Sequence, residues 1–136
     1  MEKEIKTLKY DSLIPSFLDK FPEFRELAEK KKDYWQITVD DPTEDDDPLV
    51  HVFFGYINDS VLELISSWKN KELINRLFSF YEIMANSEDE DVVGVLYATI
   101  LERLGDDKKI LKRARSLMGE KSLALSHEVE KFWGRE

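Results

Sequence analysis

Cysteine is absent from the 136-residue chain, so no disulfide, thiolate nucleophile or thiolate metal ligand is available. That absence suits a reducing cytosol. Histidine occurs only at His51 and His127. The one near-motif for zinc, HEVEK at 127–131, has Lys131 where HExxH needs its second histidine. The five glycines are unclustered, which excludes a phosphate-cradling loop of known pattern, and no G-x-S-x-G turn raises a nucleophile. Long apolar runs are missing too. The most apolar stretch, LVHVFFGYI at 49–57, falls far short of the roughly 20 residues that span a bilayer. The opening MEKEIKTLKYDS mixes charge with isolated apolar positions and lacks the apolar core of a signal peptide. The expectation is a cytoplasmic protein with no cofactor, no metal and no membrane association.

What the chain does hold is apolar mass and acid. Hydrophobic residues make up 42%, with eight Phe, five Tyr and three Trp, enough for one buried core at this length. One helical domain over 1–136 is expected. The net charge is −9, and it is concentrated. Asp40, Asp41, Glu44, Asp45, Asp46 and Asp47 contribute −6, and Glu88, Asp89, Glu90 and Asp91 a further −4, so the remainder is nearly neutral. Such a balance disfavours nucleic acid, whose phosphates require cations, and favours a basic protein partner.

Spacing of three and four dominates the apolar positions, which predicts an all-α protein of about seven helices, either a compact bundle or a short αα-hairpin array. Asp11 or Ser12 caps a first helix with Pro15 in its opening turn, and Pro22 restarts the chain. The period changes at YWQITVD, 34–40, where a short extended piece is expected within a connecting loop placed at 33–47. A long helix then runs from Pro48 to about Trp68. The alternative makes LVHVFF a strand paired with WQITV. Asn70 caps the next helix, and Ser87 with Glu90 has capping-box spacing. Gly105 reads as a left-handed terminator, Asp106 or Asp107 as the cap of KKILKRARSLM, and Gly119 as that helix's end.

The stretch DDPTEDDDP at 40–48 fails as a calcium loop. Counted from Asp40, its sixth position is Asp45 where glycine is needed, and its twelfth is His51 where glutamate is needed. Asp47-Pro48 reads instead as a helix start, with surplus acids left for solvent or a partner. Asp41, Glu44, Asp45, Asp46, Glu88 and Asp89 are therefore the candidate partner-binding residues. Glu63, Glu82 and Glu102 sit inside apolar runs and should find Arg76, Arg103 or a tyrosine; converging, they would suggest acid–base catalysis. The cations Lys108, Lys109, Lys112, Arg113 and Arg115 form one basic helix, read as a solvated face. Tyr34, Trp35, Trp68, Phe132 and Trp133 fall outside the clearest core faces, as interface anchors or closures of the bundle ends.

LFSFYEIMANSEDEDVVGVLYATILERLGDD, with FFGYINDSVLELI before it, resembles an uncharacterised bacterial family of small acidic helical proteins. In these an F-x-F-x-E helix precedes an acidic cap and a helix ending in a Leu-Glu pair. The resemblance covers Leu49 to Gly119, and some such proteins look like immunity proteins that accompany toxins. It implies no known activity and no catalytic residue. The expected function is stoichiometric protein binding, with a homo-oligomeric structural protein or a carboxylate-based enzyme as alternatives.

Overall fold

Two early prolines divide the first third into short helices, and the computed structural model describes these and the rest over residues 8–36 and 49–136. A 3₁₀ turn at Tyr10–Ser12 leads into α1 (Leu13–Lys20), which carries Pro15 in its first turn and buries Leu13, Ile14 and Phe17. Pro22 opens a second 3₁₀ turn before α2 (Arg25–Lys30), and α3 (Lys32–Trp35) follows at once. Then come α4 (Val50–Ser67), α5 (Lys71–Ala85), α6 (90–104), α7 (Lys108–Arg115) and α8 (Glu120–Phe132). Among the described residues there is no strand; the protein is an all-α bundle.

Helix α4 is the axis of the assembly, touching α1, α2, α3, α5, α6 and α7, while α8 closes against α5 and α6. Its buried positions, Val50, Phe53, Phe54, Ile57, Val61 and Ile65, recur at helical spacing. Phe17 sits where four segments meet, with Phe21, Phe24, Phe53, Phe54 and Phe80 at 4.8–6.0 Å between ring centres. Several pairs are edge-on, an arrangement worth about 0.5–1.5 kcal/mol per pair beyond area burial.

Several local expectations are corrected. Tyr34 and Trp35 are helical, not extended. The Trp35 indole donates to the Ala28 carbonyl at 2.8 Å and its ring packs edge-on to Phe53, which turns the chain into a helix. The connecting loop therefore does not begin at 33, and residues 37–40 lie outside those described. Helix α4 starts at Val50 with Leu49 flanking it, later than the expected Pro48, and the Leu49 amide donates to the Trp35 carbonyl at 2.7 Å. Gly105 has right-handed geometry (φ −79°); among the described residues the left-handed ones are Trp68 (φ 57°) and Gly134 (φ 69°). Gly119 does not end α7, which stops at Arg115; it flanks the start of α8.

Asn70 and Asp107 cap α5 and α7 as the sequence indicates, accepting from Leu73 and from Lys109 and Ile110 respectively. At α6 the cap is Asp89 rather than Ser87. Midway, residues Leu96–Leu101 widen into a π turn, and the Thr99 carbonyl inside it accepts from the buried Asn58 amide at 2.7 Å. Such turns shift the helical hydrogen-bond register. Asn58, a weak helix former, earns its place on α4 by this bond.

Candidate functional site

Where α3 meets α4, the fold leaves apolar groups in water. Tyr34 is 59% exposed, Leu49 39% and Val52 38%. Tyr34 and Tyr56 lie 5.9 Å apart, and the Lys31 ammonium stands over both rings at 5.8 and 5.2 Å. Trp35, next to Tyr34 in the chain, is buried. The Leu49 amide donates to the Trp35 carbonyl at 2.7 Å, so residues 36 and 49, which flank the undescribed 37–48 segment, are held close together. Asp41, Glu44, Asp45 and Asp46 themselves lie outside the described residues, as does the expected helix start at Asp47-Pro48.

The second acidic cluster is divided. Glu88 is exposed. Asp89 is committed to the fold: one carboxylate oxygen accepts from the Tyr10 amide at 2.8 Å and the other from the Asp91 amide at 3.0 Å. The Tyr10 hydrogen bond leads the causes that hold its carboxyl below the ordinary aspartate range. Ser87 completes the joint, donating to the Leu8 carbonyl and accepting from the Asp89 amide.

Glu63, Glu82 and Glu102 are not joined by any shared partner. Glu63 faces solvent. Glu82 reaches the first turn of α8, where its carboxylate accepts from the Ser122 amide at 2.9 Å and the Lys121 amide at 3.0 Å. Burial pushes that carboxyl up, but the bonds from Ser122, Lys121 and Asn86 outweigh it and hold it below the usual glutamate range. Glu102 offers its backbone carbonyl to Arg135. The expected partners Arg76 and Arg103 pair elsewhere, Arg76 with Glu72 and Glu23, Arg103 with Asp59.

The histidines are equally separate. His51 shares a 2.5 Å hydrogen bond with the Thr99 hydroxyl, and His127 one of 2.5 Å with Glu136. Among the described residues no three His, Asp or Glu side chains are grouped to hold a metal ion. The basic helix splits in role. Arg113 donates to the Ile65 and Ser66 carbonyls at the end of α4, and Arg115 binds Ser126 and Glu136.

One buried charge lies outside the sequence reading. Glu130 is 3% exposed and receives Arg135 through two bonds of 2.9 and 2.8 Å. Glycine at 105 makes room: a Cβ there would stand 2.0 Å from a Glu130 oxygen. The signal was present in HEVEK, which attracted attention for its histidine rather than for its second glutamate. A groove of about 600 Å³ between α1 and α5, walled by Phe21, Phe80 and Ile83, holds Arg76 already tied to its two glutamates.

No helix among the described residues is long and apolar enough to cross a membrane. Neither a curated protein nor a solved structure matches the chain. A family match does extend over residues 14–134, most of the sequence, and by it the chain belongs to the family described as Domain of unknown function (DUF7674).

Proposed function

We propose that the protein is a stoichiometric protein-binding module of the cytoplasm, acting by occupying a basic partner's surface rather than by catalysis. The observation that carries this reading is the Tyr34, Tyr56, Leu49 and Val52 surface. The exposed Tyr34 ring and the half-buried Tyr56 ring supply ready-made contact area, and rigid aromatic anchors dominate interface energetics. The six carboxylates of the 40–47 sequence add negative charge that attracts a cationic partner and speeds encounter. The resemblance to immunity proteins supports a bacterial toxin as that partner. The division of Glu63, Glu82 and Glu102 among separate surroundings favours binding over carboxylate catalysis.

The experiment begins with capture of the partner from native extract, then kinetics on two variants. Neutralising Asp41, Glu44, Asp45 and Asp46 together slows association by about tenfold at low salt and flattens its salt dependence. Tyr34→Ala with Val52→Ser leaves association nearly unchanged and speeds dissociation. Equal kinetics in both variants and the parent would reject the reading.

A further inference from the structure

One cation of the protein is held by rings rather than by acids. The Lys31 ammonium lies 5.8 Å from the Tyr34 ring centre and 5.2 Å from that of Tyr56, so a single position serves both faces. Among the described residues this ammonium makes no hydrogen bond and has no carboxylate within 4 Å. The guanidinium groups that lie over rings differ. Arg76 stands over Phe21 but is tied to Glu23 and Glu72. Arg113 stands over Trp68 but donates to the Ile65 and Ser66 carbonyls. Those ring contacts accompany stronger bonds. At Lys31 the two ring faces are the attraction. The backbone on either side is fixed, the Lys31 amide donating to the Leu27 carbonyl at 3.1 Å and the Tyr34 amide to the Lys31 carbonyl at 2.9 Å. Water reaches the place, since Tyr34 is exposed and Lys31 and Tyr56 are only half-buried.

We propose that Tyr34 and Tyr56 form a binding site for an organic ammonium group, the lysine side chain of the protein partner, and that Lys31 occupies this site in the free protein. The inference rests on the proposed binding function and names the chemistry that its aromatic surface reads. Ring faces carry the negative end of a quadrupole, and their attraction for a cation grows as docking removes water. A compact ammonium suits two rings whose planes are 49° apart, whereas a flat guanidinium stacks on one face. Leu49, Val52 and Tyr56 follow at intervals of three and four along the start of α4, hence on one face, and the exposed Leu49 and Val52 offer apolar surface to a lysine stem. The incoming lysine displaces Lys31. Apparent affinity is therefore lowered by the fraction of molecules whose rings are already occupied, and Lys31 acts as a built-in competitor.

Vacating the rings tests this. In Lys31→Ala, tetramethylammonium chloride is expected to shift the ring proton resonances of Tyr34 and Tyr56 saturably, at about fivefold lower concentration than in the parent. Sodium chloride at the same ionic strength leaves them in place. Adding Tyr56→Leu to Lys31→Ala removes the saturable shift at Tyr34, while circular dichroism stays that of the parent. With the partner captured from extract, Lys31→Ala slows its dissociation by about fivefold. Tyr34→Phe, which keeps the ring face, leaves dissociation unchanged, and Tyr34→Leu, apolar but without a ring, speeds it. Tetramethylammonium that shifts neither tyrosine in Lys31→Ala overturns the proposal whether or not a partner is captured. Capture followed by dissociation indifferent to both Lys31→Ala and Tyr34→Leu overturns it too, and leaves the proposed function standing. A saturable titration with no captured partner supports the cation site and rejects the protein-binding function.

Discussion

Gly105 shows how one missing methyl group admits a charge to the interior. Its Cα faces the Glu130 carboxylate and the Arg135 guanidinium, and a Cβ would meet them at 2.0 and 2.6 Å. The Gly105→Ala variant must displace that pair or move α8, and about 2–4 kcal/mol of stability is expected to be lost, read from urea midpoints. Removing the arginine alone is worse than removing both partners. Arg135→Ala leaves Glu130 buried without compensation, a loss of about 3–5 kcal/mol, whereas Glu130→Leu with Arg135→Leu should recover much of it. A double-mutant cycle separates the two outcomes. None of this was legible in advance, because sequence shows that Glu130 lies on a helix but not that Arg135 folds back over it. The hydrogen bond from Glu130 is also the leading cause that raises the Arg135 guanidinium further above its ordinary range.

At the scale of the element, helices in this protein are often capped by residues far away in sequence. Glu82 of α5 does for α8 what an N-cap residue does locally, taking two amides that Gly119, with no side chain, leaves free. Gly119 is in turn required to be small, since a Cβ would lie 2.5 Å from the Glu82 carboxyl carbon. Glu82→Ala should cost about 1–2 kcal/mol and raise amide exchange first in the opening turn of α8. The sign of its pH dependence follows from the depressed carboxyl. The contribution is fully present above the unfolded glutamate value and disappears as pH falls through the lower folded one. Acid titration of stability should therefore show less loss below about pH 4.5 in Glu82→Gln than in the parent. Local caps such as Asn70 and Asp107 were readable because side chain and amide are two or three residues apart. The Ser87–Glu90 box had the right spacing yet lost to Asp89, whose carboxylate serves both the α6 start and the incoming Tyr10 amide. The π turn was invisible for a similar reason: its partner Asn58 is 41 residues away from Thr99. Periodicity sees a helix's own face, not the polar groups another helix brings to it.

For the whole molecule, the pattern of apolar spacing was sufficient to give the all-α bundle, because apolar positions recurring at three and four give each helix one face to bury, and six of the eight phenylalanines meet where those faces converge. The extended reading of 34–40 failed at Trp35 because aromatic content suggested a strand while tertiary contact with Phe53 and Ala28 fixed a helix. The candidate surface was half legible: the acids could be counted, and Tyr34 was flagged, but nothing set Tyr56 apart from the other residues of the long helix. That surface makes a prediction distinct from stability. Tyr34 and Val52 are exposed in the free protein, so Tyr34→Ala with Val52→Ser should change the unfolding free energy by less than about 0.5 kcal/mol. Trp35→Ala, one residue away and buried against Phe53, should cost about 3–5 kcal/mol. Chemical denaturation of the two variants measures both, and the contrast is the point. A surface that can be altered without loss of fold is free to be shaped by what it binds, whereas the neighbouring tryptophan is fixed by the bundle that buries it.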